Sequence, residues 1–334
     1  MADGGGWSTI ESDEGVFTSL IENLGVKGVQ FEELISLDAD TIRSLRSVHS
    51  STLAFKADLE KSPVYGVIFL FKWIGGQSRN NTSPADGTYD QTAASEQGLF
   101  FAAQTIQNAC GTQAILSVIL NQDTSASGTP YPIEIGPDLS DFKSFTQGFP
   151  SDLLGEALSN SEPIRTAHNA FARASPFVDE TQRTAQDEEG DVYHFIAYTP
   201  VNGKLYELDG LQPYPISHGD CTTESFPEKV IEVLQRRIAR YPAGEVRFNL
   251  MAAVRDLRIR AQEFGDTELL ERENAKRRAW AWENTLRRSN FVGFIGEVAK
   301  GVVQKKVQDG KYEEWIEGAK KETLRRAEAR RKGY

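Results

Sequence analysis

Cysteine and methionine are scarce: the chain holds two of each in 334 residues. Cys110 and Cys221 lie far apart and form no C-x-x-C pair. This excludes a disulfide-stapled framework and a cysteine zinc site, and points to a reducing compartment. No apolar run reaches the roughly 18 residues that a spanning helix needs. The opening MADGGGWSTIE lacks the basic-then-apolar pattern of a secretory leader, so neither membrane insertion nor secretion is expected. Phosphate-loop, H-E-x-x-H and G-x-G-x-x-G patterns are absent, which removes the common nucleotide, zinc-peptidase and dinucleotide chemistries. Interleaved basic and aromatic residues are absent from the main body as well, which argues against direct nucleic-acid binding. The expectation is an enzyme or binding protein with no cofactor and no metal.

The charge that is present is unevenly placed. Residues 257–334 hold 19 Lys+Arg against 13 Asp+Glu, a net of +6, whereas residues 1–256 hold 18 against 35, a net of −17. An acidic body with a basic end predicts two surfaces with two tasks. The body repels nucleic acid and attracts a basic partner.

The body reads as α+β, one sheet wrapped by helices, because its strand signals are not separated by regular crossover helices. VFTSLIENLGV predicts a helix stopped by Gly25, and VYGVIFLFKW (64–73) predicts a buried central strand. VYHFIAYTPV (192–201) and KLYELDGL (204–211) flank Asn202-Gly203, a strong hairpin turn signal. Helices are expected in 140–174, with a break near Gly148–Pro150, and in 226–240; a last strand is expected in 245–256. Polar surface loops are expected at 76–97, 121–137 and the acidic stretch 180–191. Beyond residue 256 strand signals vanish, and the breaks Ser289-Asn290 and Asp309-Gly310 divide a helical extension, 257–334, into three main helices. Its middle helix lines up Phe291, Phe294, Ile295, Val298 and Val302 on one stripe.

One stretch carries a candidate nucleophile. In QTIQNACGTQA (104–114) Asn108 can cap a helix whose first turn would hold Cys110. Free N–H groups and the helix dipole favour an anion there, as a thiolate requires. Taken on its own, the position fits a small buried core cysteine better. A thiolate nucleophile also needs an acid–base partner. Of four histidines, His49 and His168 sit in contexts that read as structural or exposed, and His218 follows a Pro-rich turn. His194 sits on a strand beside a polar loop. Counted back from the hairpin turn, Asp209 falls nearly opposite His194, so its carboxylate can orient the imidazole; Glu207, on the same strand face, is the alternative. Gln104, six residues before Cys110, is a weak candidate for an oxyanion donor.

These motifs resemble the ubiquitin C-terminal hydrolases, papain-like cysteine proteases that remove ubiquitin. The resemblance rests on WSTIESDEGVF (7–17), QTIQNACGTQA (104–114), VYHFIAY (192–198) and LYELDGL (205–211), and runs through LSDFKSFT, GEALSNSEPIRTAHNAFAR and AGEVRFNLMA. It implies that Cys110 is the nucleophile, His194 the base and acid, Asp209 the orienting carboxylate and Gln104 the oxyanion donor. It implies a central, mostly antiparallel sheet flanked by helices, a knotted backbone, and a crossover loop over the site at roughly Gln147–Pro163. It also implies that Asp191 and Tyr193 border the channel for ubiquitin's tail and that Glu11 meets an arginine of that tail.

The extension places the chain with the long, proteasome-associated members. For these the resemblance implies a catalytic domain (1–256), a docking extension (257–334), and cytoplasmic and nuclear location. Partners implied are ubiquitin conjugates, a proteasomal ubiquitin receptor bound through the C-terminal helices and, in some organisms, a chromatin-remodelling subunit. Two rival readings keep the same residues. One is a ubiquitin-binding proteasome subunit whose catalysis is autoinhibited or dispensable; the other is a papain-like protease for unrelated substrates.

Overall fold

The computed structural model describes residues 6–46, 63–73, 81–123, 131–172, 193–242, 245 and 247–331. Seven strands form one sheet in the order β1-β7-β2-β4-β5-β6-β3. They are β1 (Val29–Glu33), β2 (Val64–Lys72), β3 (Thr88–Tyr89), β4 (Tyr193–Val201), β5 (Lys204–Leu208), β6 (Ile216–Asp220) and β7 (Asn249–Arg255). All neighbouring strands run antiparallel. The continuously apolar β2 lies inside the sheet, as a strand covered on both faces must. Side chains alternate across the pleat and build two cores. Ile68, Ala197, Met251 and Ala253 face helices α1 (Glu14–Asn23) and α4 (Cys110–Ile119). Val67, Phe69, Phe71, Ile196 and Tyr198 face α2 (Ala39–Arg46) and α8 (Phe226–Ile238). The helix expected before Gly25 is α1, and Gly25 takes the left-handed backbone (φ 84°) that stops it.

The hairpin forms where the Asn-Gly pair predicts it. Asn202 (φ 50°) and Gly203 (φ 78°) are both left-handed, which is the type I′ turn, and the ladder runs from Val201↔Lys204 to Ala197↔Leu208. Two expected loops hold more structure than their polar composition indicates. In 76–97, β3 pairs with β6 at the sheet edge and α3 (Ala93–Gln97) follows it. In 121–137, Asn121 is buried because its amide donates to the Phe100 carbonyl while its oxygen accepts from the Phe100 N–H. Polar side chains that satisfy backbone groups leave the same compositional mark as solvated ones. The acidic stretch 180–191 lies outside the described residues.

The segment Gln147–Pro163, expected as the crossover loop, is instead mostly helix. After α5 (Gly136–Phe145) come α6 (Ser151–Asn160) and α7 (Glu162–Asn169). Leu154 and Leu158, one turn apart, are buried, and a Cβ on Gly155 would stand 2.0 Å from the Ala103 carbonyl oxygen. The segment is packed against the buried chain Leu99–Ala103 that precedes Cys110, a place that an open loop would not fill.

The extension also divides differently from its composition. Helices α9 (Leu257–Phe264) and α10 (Thr267–Arg288) belong to the main compact unit, made of residues 1–173 and 183–288. A Cβ at Gly15 would meet the Trp280 ring at 2.6 Å, Asn284 donates to Ser19 Oγ at 3.0 Å, and Lys276 reaches Glu32 at 2.6 Å. Burying Trp280 is worth about 3–5 kcal/mol. Truncation after Arg288 is therefore expected to leave the melting temperature of the body unchanged. Truncation after Asp256 is expected to lower it by on the order of 10 °C. Thermal unfolding of the two truncated chains checks this. The second unit contains α11 (Val292–Gln308) and α12 (Tyr312–Arg331), separated by the left-handed Gly310. On it, Phe291, Phe294, Ile295, Val298 and Val302 are all exposed.

Candidate active site

Cys110 is the first residue of α4, after one 3₁₀ turn at Gln107–Ala109. Asn108 is not the cap: the N-cap position is Ala109, and the Asn108 amide donates to the Trp7 carbonyl at 3.0 Å. That bond ties the N-terminal segment to the start of α4. Ile10 lies 3.5 Å from where a Cβ on Gly111 would stand. His168, from α7, lies within 2.7 Å of Thr112 Oγ1 and 2.6 Å of the Ser8 carbonyl, and Trp7 meets its ring edge-on. Burial lowers its pKa. His168 is thus the structural histidine that its context indicates. Cys110 itself is a free thiol and only partly buried, so α4 presents it at an accessible rim while the rest of the helix lies in the core.

His194 lies near the start of β4, 4% exposed, opposite Phe71 in the β2–β4 ladder. Asp209 Oδ1 accepts from His194 Nε2 at 2.7 Å and from the Leu211 N–H at 2.9 Å. The ladder ends at Ala197↔Leu208, so the two are not a direct cross-strand pair. Asp209 sits one residue beyond β5 and reaches His194 along the diagonal. Cys110 lies close enough to the imidazole to act on its charge. Burial alone would lower the imidazole pKa. The Asp209 carboxylate and Cys110 outweigh it and push the value up to about 9. Burial would raise the Asp209 pKa, but the imidazole charge, its hydrogen bond and Arg237 hold it below the ordinary carboxylate range.

Glu207, the alternative carboxylate, is engaged elsewhere. It accepts from Tyr198 Oη at 3.1 Å and Arg237 at 2.5 Å, and lies 3.0 Å from His218 Nε2. Gln104 lies beside the pair: its N–H donates to the Gly210 carbonyl at 2.9 Å, directly after Asp209. A Cβ on Gly210 would stand 2.9 Å from Gln104 Cβ and 2.2 Å from Gln113 Nε2, so only glycine fits there. Close packing at this glycine fixes the distance between the Gln104 segment and the Asp209 turn.

The remaining predicted residues divide. Tyr193 opens β4, 39% exposed and on the opposite side of the pleat from His194. Glu11 accepts from Arg287 Nε at 3.1 Å, and the same guanidinium holds Asp13 at 2.7 Å. Ser8, Thr9, Ile10, Glu11 and Ala172 line a cavity of about 380 Å³. Asp191 and His49 lie outside the described residues. Among the described residues no cluster of His, Cys, Asp and Glu fits a metal ion, and no helix is long and apolar enough to cross a membrane.

Sequence reasoning missed the surroundings of His194. Phe71 meets the imidazole edge-on at 5.7 Å, and the Arg237 guanidinium lies 4.5 Å from the Phe71 ring centre. A signal for Arg237 existed. It extends the buried Val230, Val233, Leu234 stripe of α8, where a charge is out of place.

Comparison with known proteins finds similar chains. The family described as "Ubiquitin carboxyl-terminal hydrolase, family 1" matches residues 7–239, and "Ubiquitin carboxyl-terminal hydrolases" matches 266–307. Ubiquitin carboxyl-terminal hydrolase 2 of Schizosaccharomyces pombe is 45% identical over 94% of this chain and 96% of its own length. Isozyme L5 of Dictyostelium discoideum is 41% identical over 79% of this chain and 66% of its own. Among solved structures, Trichinella spiralis UCH37 bound to ubiquitin vinyl methyl ester is similar over 84% of this chain and 99% of that chain, with 31% identity and a TM-score of 0.56.

Proposed function

We propose a mechanism for this chain on one premise: it belongs to the ubiquitin carboxyl-terminal hydrolase family and is a thiol-dependent deubiquitinase. The bond cleaved is the one after ubiquitin's C-terminal glycine. Cys110 Sγ attacks the carbonyl carbon while His194 holds the thiol proton. The Gln104 amide and the first-turn N–H of α4 stabilise the oxyanion. His194 then protonates the leaving amine, and water attacks the thioester with His194 as base. Asp209 keeps the ring oriented and favours the imidazolium. The observation that carries this reading is the convergence of an accessible Cys110 and a buried His194–Asp209 pair, 2.7 Å apart, at one rim of the sheet.

Ubiquitin's basic tail suits the −17 charge of residues 1–256. Tyr193 flanks its path, and an arginine of the tail competes with Arg287 for Glu11. The exposed stripe from Phe291 to Val302 docks a proteasomal ubiquitin receptor, or a chromatin-remodelling subunit where one exists, which would place the protein in cytoplasm and nucleus. Exposure of five large apolar side chains on one helical face supports that assignment.

A vinyl methyl ester of ubiquitin is expected to label Cys110 of the full chain at one equivalent, located by peptide mass mapping. Short fluorogenic peptides without ubiquitin are expected to be cleaved at least about a thousandfold more slowly, because most of the binding energy comes from the ubiquitin body. Equal cleavage of both would mean a general papain-like protease.

A further inference from the structure

Arg237 is a buried cation that the reaction does not obviously use. It sits in the last turn of α8, 3% exposed, on the side of the sheet that carries Phe71 and His194. Its Nη1 donates to Glu207 Oε1 at 2.5 Å, and its guanidinium carbon lies 4.5 Å from the centre of the Phe71 ring. Phe71 stands between it and the imidazole, meeting His194 edge-on at 5.7 Å with an interplanar angle of 86°. Glu207 and Asp209 are two residues apart on one side of the chain, and each is almost fully buried. Tyr198, Tyr241 and His218 complete the surroundings.

The physical cost of this arrangement is what makes it informative. A buried ion pair seldom stabilises a fold more than well-packed apolar side chains of the same size. Two buried carboxylates side by side repel one another, and one permanent cation between them lets both stay ionised. A guanidinium over an aromatic face also fixes that ring more firmly than an aliphatic contact would. Both effects end on the same target, since Phe71 bounds the imidazole and Asp209 orients it.

We propose that Arg237 is a positioning residue for the His194–Asp209 pair. It acts by clamping Phe71 against the imidazole and by supplying the buried positive charge beside Glu207 and Asp209. The proposal rests on the reading of Cys110, His194 and Asp209 as the reacting groups, and its test is chosen to fail separately from that reading.

The test starts from three variants of the full chain. Arg237→Met removes charge and plane, Arg237→Lys keeps the charge but loses the planar face, and Arg237→Met with Glu207→Gln removes both buried charges together. Two readouts are taken: turnover of ubiquitin aminomethylcoumarin, and the rate at which iodoacetamide alkylates Cys110. The second needs no ubiquitin. We expect Arg237→Met and Arg237→Lys to lower kcat and alkylation by about tenfold or more while KM stays within about twofold, as expected for misplaced groups. The double substitution is expected to regain the wild-type melting temperature without regaining either rate. Adding Phe71→Leu to Arg237→Met is expected to cause no further loss, because both act through one contact. Wild-type rates in any folded Arg237 variant, rates that recover with the melting temperature, or additive losses with Phe71→Leu would each overturn the proposal. A wild-type chain that alkylates readily but leaves ubiquitin uncleaved would instead overturn the proposed reaction.

Discussion

Cys110→Ala is expected to leave a folded protein that binds ubiquitin and does not hydrolyse its conjugates, a loss of about ten-thousandfold or more in kcat/KM. The size follows from what is removed. Without Sγ there is no group at the start of α4 to form a covalent intermediate, and the oxyanion donors retain only a residual effect. The fold has little stake in the same atom. Cys110 is partly exposed, whereas Gly111 to Ile119 behind it are buried. The melting temperature is therefore expected to stay within about 2 °C of wild type. Cys221 is the internal control. It is 2% exposed, lies in the α8-side core, and has its thiol pKa raised by burial. Cys221→Ala is expected to keep full turnover at some cost in stability. Turnover that survives Cys110→Ala, or is lost with Cys221→Ala in a folded chain, would mean that the nucleophile is misassigned.

How far these roles can be read from sequence depends on how local their cause is. The hairpin is local: Asn202-Gly203 fixes its own turn, and the turn brings His194 within reach of Asp209. Glu207 and Asp209 share a face by alternation, so spacing could not choose between them. The choice is made by Arg237, His218 and Tyr198, which engage Glu207. Tyr198 is a local neighbour on β4, but α8 and β6 bring Arg237 and His218 from elsewhere in the chain. The Asn108 cap failed for a related reason. The Trp7 carbonyl, about a hundred residues away in sequence, anchors the Asn108 side chain through its amide N–H, and a 3₁₀ turn moves the cap position to Ala109. Composition changes at residue 257, whereas the compact unit runs on to Arg288. Trp280 and Leu269 are buried among charged neighbours on α10, and their stripe is too sparse to stand out. The helical segment near Gln147–Pro163 was legible in its Leu154–Leu158 spacing.

Asp209→Asn is expected to lower kcat by about a hundredfold to ten-thousandfold at pH 8 and to do so less at pH 6. Asparagine keeps the shape, and its oxygen can still accept from His194 Nε2 and the Leu211 N–H, so the ring stays in place. Only the charge is lost. In the wild-type chain the Asp209 carboxylate and Cys110 overcome the effect of burial and hold the His194 proton up to about pH 9. The leaving amine is protonated by that same proton, so the alkaline limb of kcat belongs near 9. Without the carboxylate, burial is opposed by Cys110 alone and the limb moves to lower pH, toward the ordinary imidazole value of about 6.5. The same shift has a stability signature. The His194 pKa in the folded chain lies above the unfolded value, so its contribution is complete below about pH 6.5 and is lost as pH rises through about 9. Wild-type melting temperature is expected to decline across that window, and the Asp209→Asn chain is expected to show a flatter profile there. Parallel pH series of turnover and thermal unfolding measure both. An alkaline limb that stays in place when the carboxylate is gone would mean that Asp209 does not set the protonation of His194, and that its 2.7 Å contact only packs the ring.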